Sequence, residues 1–257
     1  MAENDFSAES AENFEQKCLC VLVLDVSGSM HEIVDKSNMT YTGEKVYMDG
    51  KEYNLVTGGI SKLDLLNQGL KDFYNEIISD DTTSQRLELS IITFNDYVKV
   101  VQEPALPDNV TIPELLGEGE TAMADAINEA IDKVEARKNW YKETGQPYYR
   151  PWIILMTDGV PNKGQDMNTL AQRIKRDTEA KKYAFLPVGV EGADMDVLQK
   201  IAGKGMNAVK LKETRFAQFF RWLSASMGTV TKAEEGQTVD LSAGATGEDG
   251  WMDSFVI

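Results

Sequence analysis

Val21-Leu-Val-Leu-Asp25-Val-Ser27-Gly-Ser29-Met30 is a short apolar run that stops at a carboxylate followed by two hydroxyls on alternate residues. Carboxylate and hydroxyl oxygens are hard donors, suited to Mg²⁺, Mn²⁺ or Ca²⁺ rather than to zinc. A second apolar run, Trp152 to Met156, stops in the same manner at Thr157-Asp158-Gly159. Between the two, Thr121 stands just ahead of a helical pattern. Asp25, Ser27, Ser29, Thr121 and Asp158 are therefore candidate ligands of one hard divalent cation, with Mg²⁺ the leading expectation. The condition is that the fold brings three distant loops together.

A run that is apolar at every position implies a strand covered on both faces, the pattern of a parallel sheet. Ligands of open α/β sheets bind at the carboxyl ends of such strands, where the strand order reverses. Ser61-Lys-Leu-Asp64 resembles a capping box, and Leu66, Leu70, Phe73 and Ile77 continue it at helical spacing over about 61–79. Leu87 to Phe94 reads as a strand. Tyr97 to Val101 follows across Asn95-Asp96, a turn too short for a parallel crossover, so those two strands are antiparallel neighbours. Met123, Ile127, Ala130 and Val134 mark a helix that starts right after Thr121. Beyond Trp152–Met156 the pattern predicts a helix over 167–182, a strand over 183–190, a short helix near 194–202 and a brief strand near 207–211. Phe216, Phe219, Phe220, Leu223 and Met227 then make an amphipathic helix. Strands alternating with helices predict a doubly wound, mostly parallel α/β sheet with helices on both faces.

The chain has 257 residues, 42% of them hydrophobic, and a formal charge of −16. That charge argues against nucleic acid and anionic membrane as partners, since both require a basic face. Residues 1–16 are acidic and polar and read as a flexible tail. Residues 17–232 form the domain, with Asp49-Gly50 marking a hairpin insertion near 38–58. Residues 233–257 turn to Gly, Ser, Thr and acids and read as a second tail, although Trp251-Met-Asp-Ser-Phe-Val-Ile257 is apolar enough to dock on another protein or to fold back. No apolar segment suits export or membrane insertion, so a cytoplasmic location is expected. Cys18 and Cys20 are expected to share one face of the first strand as small core residues, not as a disulfide.

D-x-S-x-S at Asp25–Ser29, a distant Thr121 and the T-D-G at Asp158 resemble the metal-ion-dependent adhesion site of von Willebrand factor A domains. The resemblance covers about residues 17–232. It implies a six-stranded sheet of order 3-2-1-4-5-6 with strand three antiparallel. It also implies that Ser27, Ser29 and Thr121 ligate through hydroxyls, while Asp25 and Asp158 act directly or through water. The run from Phe216 to Met227 and the following Gly236-Gln-Thr-Val239 further resemble the bacterial TerY-type subgroup associated with tellurite resistance. From this follows the expectation of a non-catalytic, metal-dependent module that binds an Asp or Glu of a protein partner, regulatory in a stress response beside a kinase or phosphatase. The insertion at 31–60 departs from the compact family form.

The competing reading is a Mg²⁺-dependent hydrolase such as a phosphatase, since an Asp after strand one also describes phosphoryl-transfer sites. Such an enzyme commonly carries a second acid two residues on, where this chain has Ser27, and the three loops hold no general base or charge-clamping Lys or Arg. Gly117-Glu-Gly-Glu-Thr-Ala matches a dinucleotide fingerprint but lacks a preceding strand, and its two glutamates would repel a pyrophosphate. His31, the one histidine, reads as a solvated loop residue. Asp125 reads as a complement to a helix N-terminus, with a role beside a metal-bound water as the alternative.

Overall fold

The first strand, β1 (Cys18–Asp25), is buried at every residue, and the computed structural model shows why. The structure describes residues 14–48, 51–162, 164–203, 207–212, 215–234, 237, 239–246 and 250–252. Even-numbered side chains of β1 pack into one apolar cluster, and Leu19, Val21 and Val23 into another on the opposite face. Cys18 and Cys20 are both free and both belong to the first cluster, as the period-two geometry of a strand requires.

After β1 the chain makes a 3₁₀ turn (Gly28–His31) and enters the insertion. Here β2 (Ile33–Asp35) pairs antiparallel with β5 (Ile60–Ser61), and between them β3 (Thr40–Met48) pairs with β4 (Lys51–Thr57). The expected hairpin is thus present, while the Asp49-Gly50 tip lies outside the described residues. Tyr41 and Tyr47 on β3 are among its exposed side chains. Helix α1 (Lys62–Ile78) opens on the capping box read from the sequence, the Ser61 hydroxyl and the Asp64 carboxylate each satisfying the other residue's backbone N–H.

The chain continues through α2 (Asp81–Arg86), β6 (Leu87–Phe94), β7 (Val98–Ala105), α3 (Met123–Thr144), β8 (Trp152–Thr157), α4 (Met167–Glu179), β9 (Ala184–Gly189), α5 (Met195–Ile201), β10 (Val209–Lys210) and α6 (Phe216–Lys232). The main sheet has the order β10-β9-β8-β1-β6-β7, parallel except for β7. Numbered within that sheet alone, this is the expected 3-2-1-4-5-6. The last strand before α3 is longer than expected and contains Pro104. An edge strand tolerates this residue because the missing N–H faces no neighbour.

Helices α1 and α6 cover one face of the sheet through Leu66, Leu70, Phe73, Phe216, Phe219 and Phe220. Helices α3, α4 and α5 cover the other through Ile127, Ile131, Val134, Leu170, Ile174 and Leu198. α1 and α6 approach closely at Gly69, where an added Cβ would lie 2.4 Å from the ring of the fully buried Phe220. Gly69→Ala is therefore expected to lower stability by about 1–2 kcal/mol despite its better helix propensity. The measurement is a shift of the urea midpoint, and an unchanged midpoint would contradict the packing.

The stretch read as a C-terminal tail contributes to the core. Trp251 and Met252 are buried, Leu211 bridges antiparallel to Met252, and the Lys212 N–H donates to the Trp251 carbonyl. The Trp251 ring meets Phe219 edge-on at 4.9 Å. Of the two readings the sequence left for this segment, docking on another protein or folding back, the packing of Trp251 on α6 is the second. Residues 253–257, and residues 1–13 of the expected N-terminal tail, lie outside the described residues.

Candidate functional site

β6 and β8 flank β1 on either side, so the crossovers leave β1 in opposite directions. The carboxyl ends of β1 and β8 therefore border the crevice where an open α/β sheet receives ligands. Leu24 pairs with Met156, which sets the next residues, Asp25 and Thr157, side by side at the rim. The Thr157 hydroxyl donates to Asp25 Oδ2 at 2.5 Å, and the Ser27 N–H donates to Asp25 Oδ1 at 2.8 Å. Both oxygens of the carboxylate are thereby aimed.

The five sequence-predicted residues converge. Ser27 Oγ and Ser29 Oγ lie 3.2 Å apart, and the Ser29 hydroxyl donates to Asp158 Oδ1 at 2.6 Å. Thr121 reaches the same place from the loop ahead of α3. A Cβ built on Gly159 would lie 2.9 Å from Thr121 Oγ1 and 3.3 Å from Asp25 Oδ2, so both oxygens border one small space that only a glycine leaves open. Asp25, Ser27, Thr121 and Asp158 are buried, whereas Ser29 is exposed.

Backbone stitches hold the loops in register. The Gly28 N–H donates to the Gly119 carbonyl, and the Ala122 N–H to the Asn95 carbonyl. The Thr121 N–H donates to Asn162 Oδ1 at 2.7 Å, and the Asn95 side-chain amide to the Glu118 carbonyl at 2.7 Å. The residue at the N-cap position of α3 is Ala122 rather than Thr121. The Thr121 hydroxyl is thus not committed to capping, the condition under which it can serve as a ligand. His31 is exposed, with its ring against the Gly117 carbonyl. Asp125 is an exposed first-turn acid that accepts from the Gln165 amide.

Two residues at this rim were not singled out from the sequence. Thr157 could have been found, since it precedes Asp158 in the T-D-G triplet and its strand neighbour is Asp25. Lys62 could not. Its ammonium is 2% exposed and donates to Asp158 Oδ2 at 2.9 Å, to the Glu191 carbonyl at 2.9 Å and to Glu32 Oε2 at 2.7 Å.

Burial pushes the Asp25 carboxyl up to about 6, against the lowering effect of its hydrogen bonds from Ser27 and Thr157, while the neighbouring Asp158 charge raises it further. For Lys62 burial opposes the charged form, yet the Glu32 and Asp158 carboxylates outweigh it and hold the ammonium above its ordinary pKa. The contact with Lys62 in turn lowers the pKa of Glu32.

Among the described residues no group of three or more His, Cys, Asp or Glu side chains is placed to hold a metal ion. Any cation at this rim must therefore rely on hydroxyls as well as carboxylates. Two carboxylates and three hydroxyls gathered at this rim fit the donor preference of a hard divalent ion.

A six-stranded, doubly wound sheet flanked by helices defines a Rossmann-like α/β domain, with acidic and hydroxyl side chains gathered at its switch point. The sequence model of the von Willebrand factor type A domain matches residues 60–221, more than half of the chain, and the chain belongs to this family. The matched stretch begins after the insertion, so the Asp25 loop is not part of it. Domains of this family commonly mediate protein–protein interactions.

Solved structures agree on the fold. The PilB minor pilin from Streptococcus sanguinis is 14% identical with a TM-score of 0.56, covering 84% of this chain and 63% of the pilin. The von Willebrand factor domain of the type V pili tip protein Mfa5 from Porphyromonas gingivalis is 9% identical, TM-score 0.51, covering 87% of this chain and 99% of that domain. The protein BatB from Bacteroides thetaiotaomicron is 16% identical, TM-score 0.50, covering 84% and 100%. The chain thus spans less than two thirds of the pilin it resembles. No curated protein matches the chain. Among the described residues no helix is long and apolar enough to cross a membrane.

Proposed function

We propose that this domain is a non-catalytic, metal-dependent adhesion module. Asp25, Ser27, Ser29, Thr121 and Asp158 would hold Mg²⁺, with Mn²⁺ or Ca²⁺ as alternatives, and a partner protein would supply an Asp or Glu to it. The observation that carries this reading is the convergence of all five oxygen-bearing residues at the sheet rim, Ser27, Ser29 and Asp158 linked by hydrogen bonds that run on to Asp25, and Thr121 beside Asp25 across Gly159. When bound, the ion would supply an attraction for one more anionic oxygen. Hydroxyl ligands bring no charge, so two carboxylates leave such an ion with affinity to spare. On a chain of net charge −16 the ion would be a local exception that admits an acidic group.

The chain's own residues orient the donors. Thr157 and the Ser27 amide aim Asp25, Ser29 and Lys62 aim Asp158, and Asn162 fixes the backbone at Thr121. The insertion is tied to the same rim, β2 following the first loop and β5 leading into α1, so its exposed Tyr41 and Tyr47 extend the surface offered to a partner. The hydrolase reading gains little from Lys62, whose ammonium is occupied by Asp158, Glu191 and Glu32 and cannot clamp a phosphate. A regulatory place in a cytoplasmic, tellurite-type stress response, beside a kinase or phosphatase, is the setting we infer from the C-terminal helix.

The test is affinity capture from the source cells with and without chelator, alongside a Gly159→Ala variant. Alanine would intrude between Thr121 and Asp25, so Mg²⁺ affinity is expected to fall at least tenfold and capture to fail, while the variant in chelator still melts cooperatively. Capture that persists in excess chelator, or in the variant, would overturn the reading.

A further inference from the structure

Lysine is an unexpected occupant of the first position of α1. The positive end of a helix dipole disfavours a cation there, and an ammonium is costly to bury without partners. Lys62 is 2% exposed all the same. Its three N–H donors, the full complement of an ammonium, are taken by Asp158, Glu191 and Glu32. Each oxygen of Asp158 correspondingly has one partner, Oδ1 the Ser29 hydroxyl and Oδ2 Lys62, with a lone pair left on each. The Lys62 backbone N–H also donates to the Glu32 carbonyl, so the segment leaving the Asp25 loop is tied to this lysine through both main chain and side chain.

We propose that Lys62 is a built-in counter-cation of Asp158. It holds that carboxylate in its orienting contacts when no divalent ion is present, and its charge lowers the affinity of the site for such an ion. The role rests on the metal reading above. One of the two carboxylates offered to an ion is already paired with an ammonium, and a divalent cation entering beside Ser29 meets a fixed positive charge among buried side chains. Glu32, outside the ligand set and with its side chain 66% exposed, offsets part of that charge from the solvent side.

Calorimetric titration with Mg²⁺ alone and Mn²⁺ alone, on the full chain, tests the role. Lys62→Met is expected to bind Mg²⁺ at least tenfold more tightly than the wild type and to show a lower thermal midpoint in chelator, because Asp158 is then buried without its partner. Lys62→Arg, which keeps the charge, should bind within about threefold of the wild type. Glu32→Gln leaves the buried contacts in place and should weaken Mg²⁺ binding about threefold or more. This arm decides the question if Lys62→Met does not fold. Binding that is unchanged or weaker in Lys62→Met, or unchanged in Glu32→Gln, overturns the role of Lys62 and leaves the metal reading intact. Absence of binding in the wild type overturns the metal reading, and with it this role.

Discussion

Asp25→Asn is expected to make the metal-free protein more stable at neutral pH and to remove its response to Mg²⁺. Asp25 is fully buried and its carboxyl is raised to about 6 by that burial. A folded-state pKa above the unfolded value means that the native state binds the extra proton. The stabilising contribution is present below about pH 4 and is lost as pH rises through 6, then stays lost. A displacement of about two pH units corresponds to about 3 kcal/mol. Asparagine keeps an oxygen for the Ser27 N–H and can donate to the Thr157 hydroxyl, so it retains the contacts without the charge. In chelator, the two proteins should melt together near pH 4, and the variant should exceed the wild type by about 3 kcal/mol at pH 8. Mg²⁺ at a hundred times its dissociation constant adds about 2.7 kcal/mol to the wild type alone, closing most of the gap. Melting curves over this pH range, with chelator and with Mg²⁺, are the measurement. A gap that does not widen with pH, or a variant that Mg²⁺ stabilises equally, would contradict it.

The largest loss of stability is expected away from the rim. Glu88 of β6 and Arg137 of α3 are both buried and meet in a two-pronged pair, Nε to Oε2 at 2.8 Å and Nη2 to Oε1 at 2.7 Å. Tyr141 donates its hydroxyl to the same carboxylate at 2.5 Å, and the Arg137 guanidinium lies 4.1 Å from the Trp140 ring centroid. Arg137→Leu leaves a buried carboxylate without its cation and is expected to cost about 3–5 kcal/mol. In a domain of this size that is a fall in melting temperature of about 10 °C. Removing both charges in Glu88→Leu/Arg137→Leu should recover much of the loss, because the penalty belongs to the orphaned ion rather than to the absent pair. A single variant that loses less than about 1 kcal/mol would show that water reaches this pair.

Much of the architecture was legible from residue order. Runs apolar at every position marked β1 and β8, and Leu87 to Phe94 read as the strand β6. The Ser61/Asp64 box marked the start of α1, and the short Asn95-Asp96 turn forced the antiparallel edge strand. These features are local, and each depends on residues within a few positions of one another. The sequence left the end of the chain open between docking elsewhere and folding back, and Trp251 and Met252 take the second course. Trp251 follows a polar, Gly-rich stretch, and its burial depends on Phe219 of α6, 32 residues earlier in the chain. Lys62 gave only a negative sign, a cation where the helix dipole opposes one, and that sign names no partner.

By itself the order of residues determined which oxygen-bearing side chains stand at the ends of buried strands, since Asp25, Ser27, Ser29 and Asp158 follow strands whose burial their composition requires. Only the tertiary structure decided that β1 and β8 are neighbours, that Gly159 leaves a space between Thr121 and Asp25, and that Lys62 neutralises Asp158 from 96 residues away. Side-chain periodicity encodes which face of an element is buried. Which oxygen meets which cation is settled by packing between segments that share no local signal.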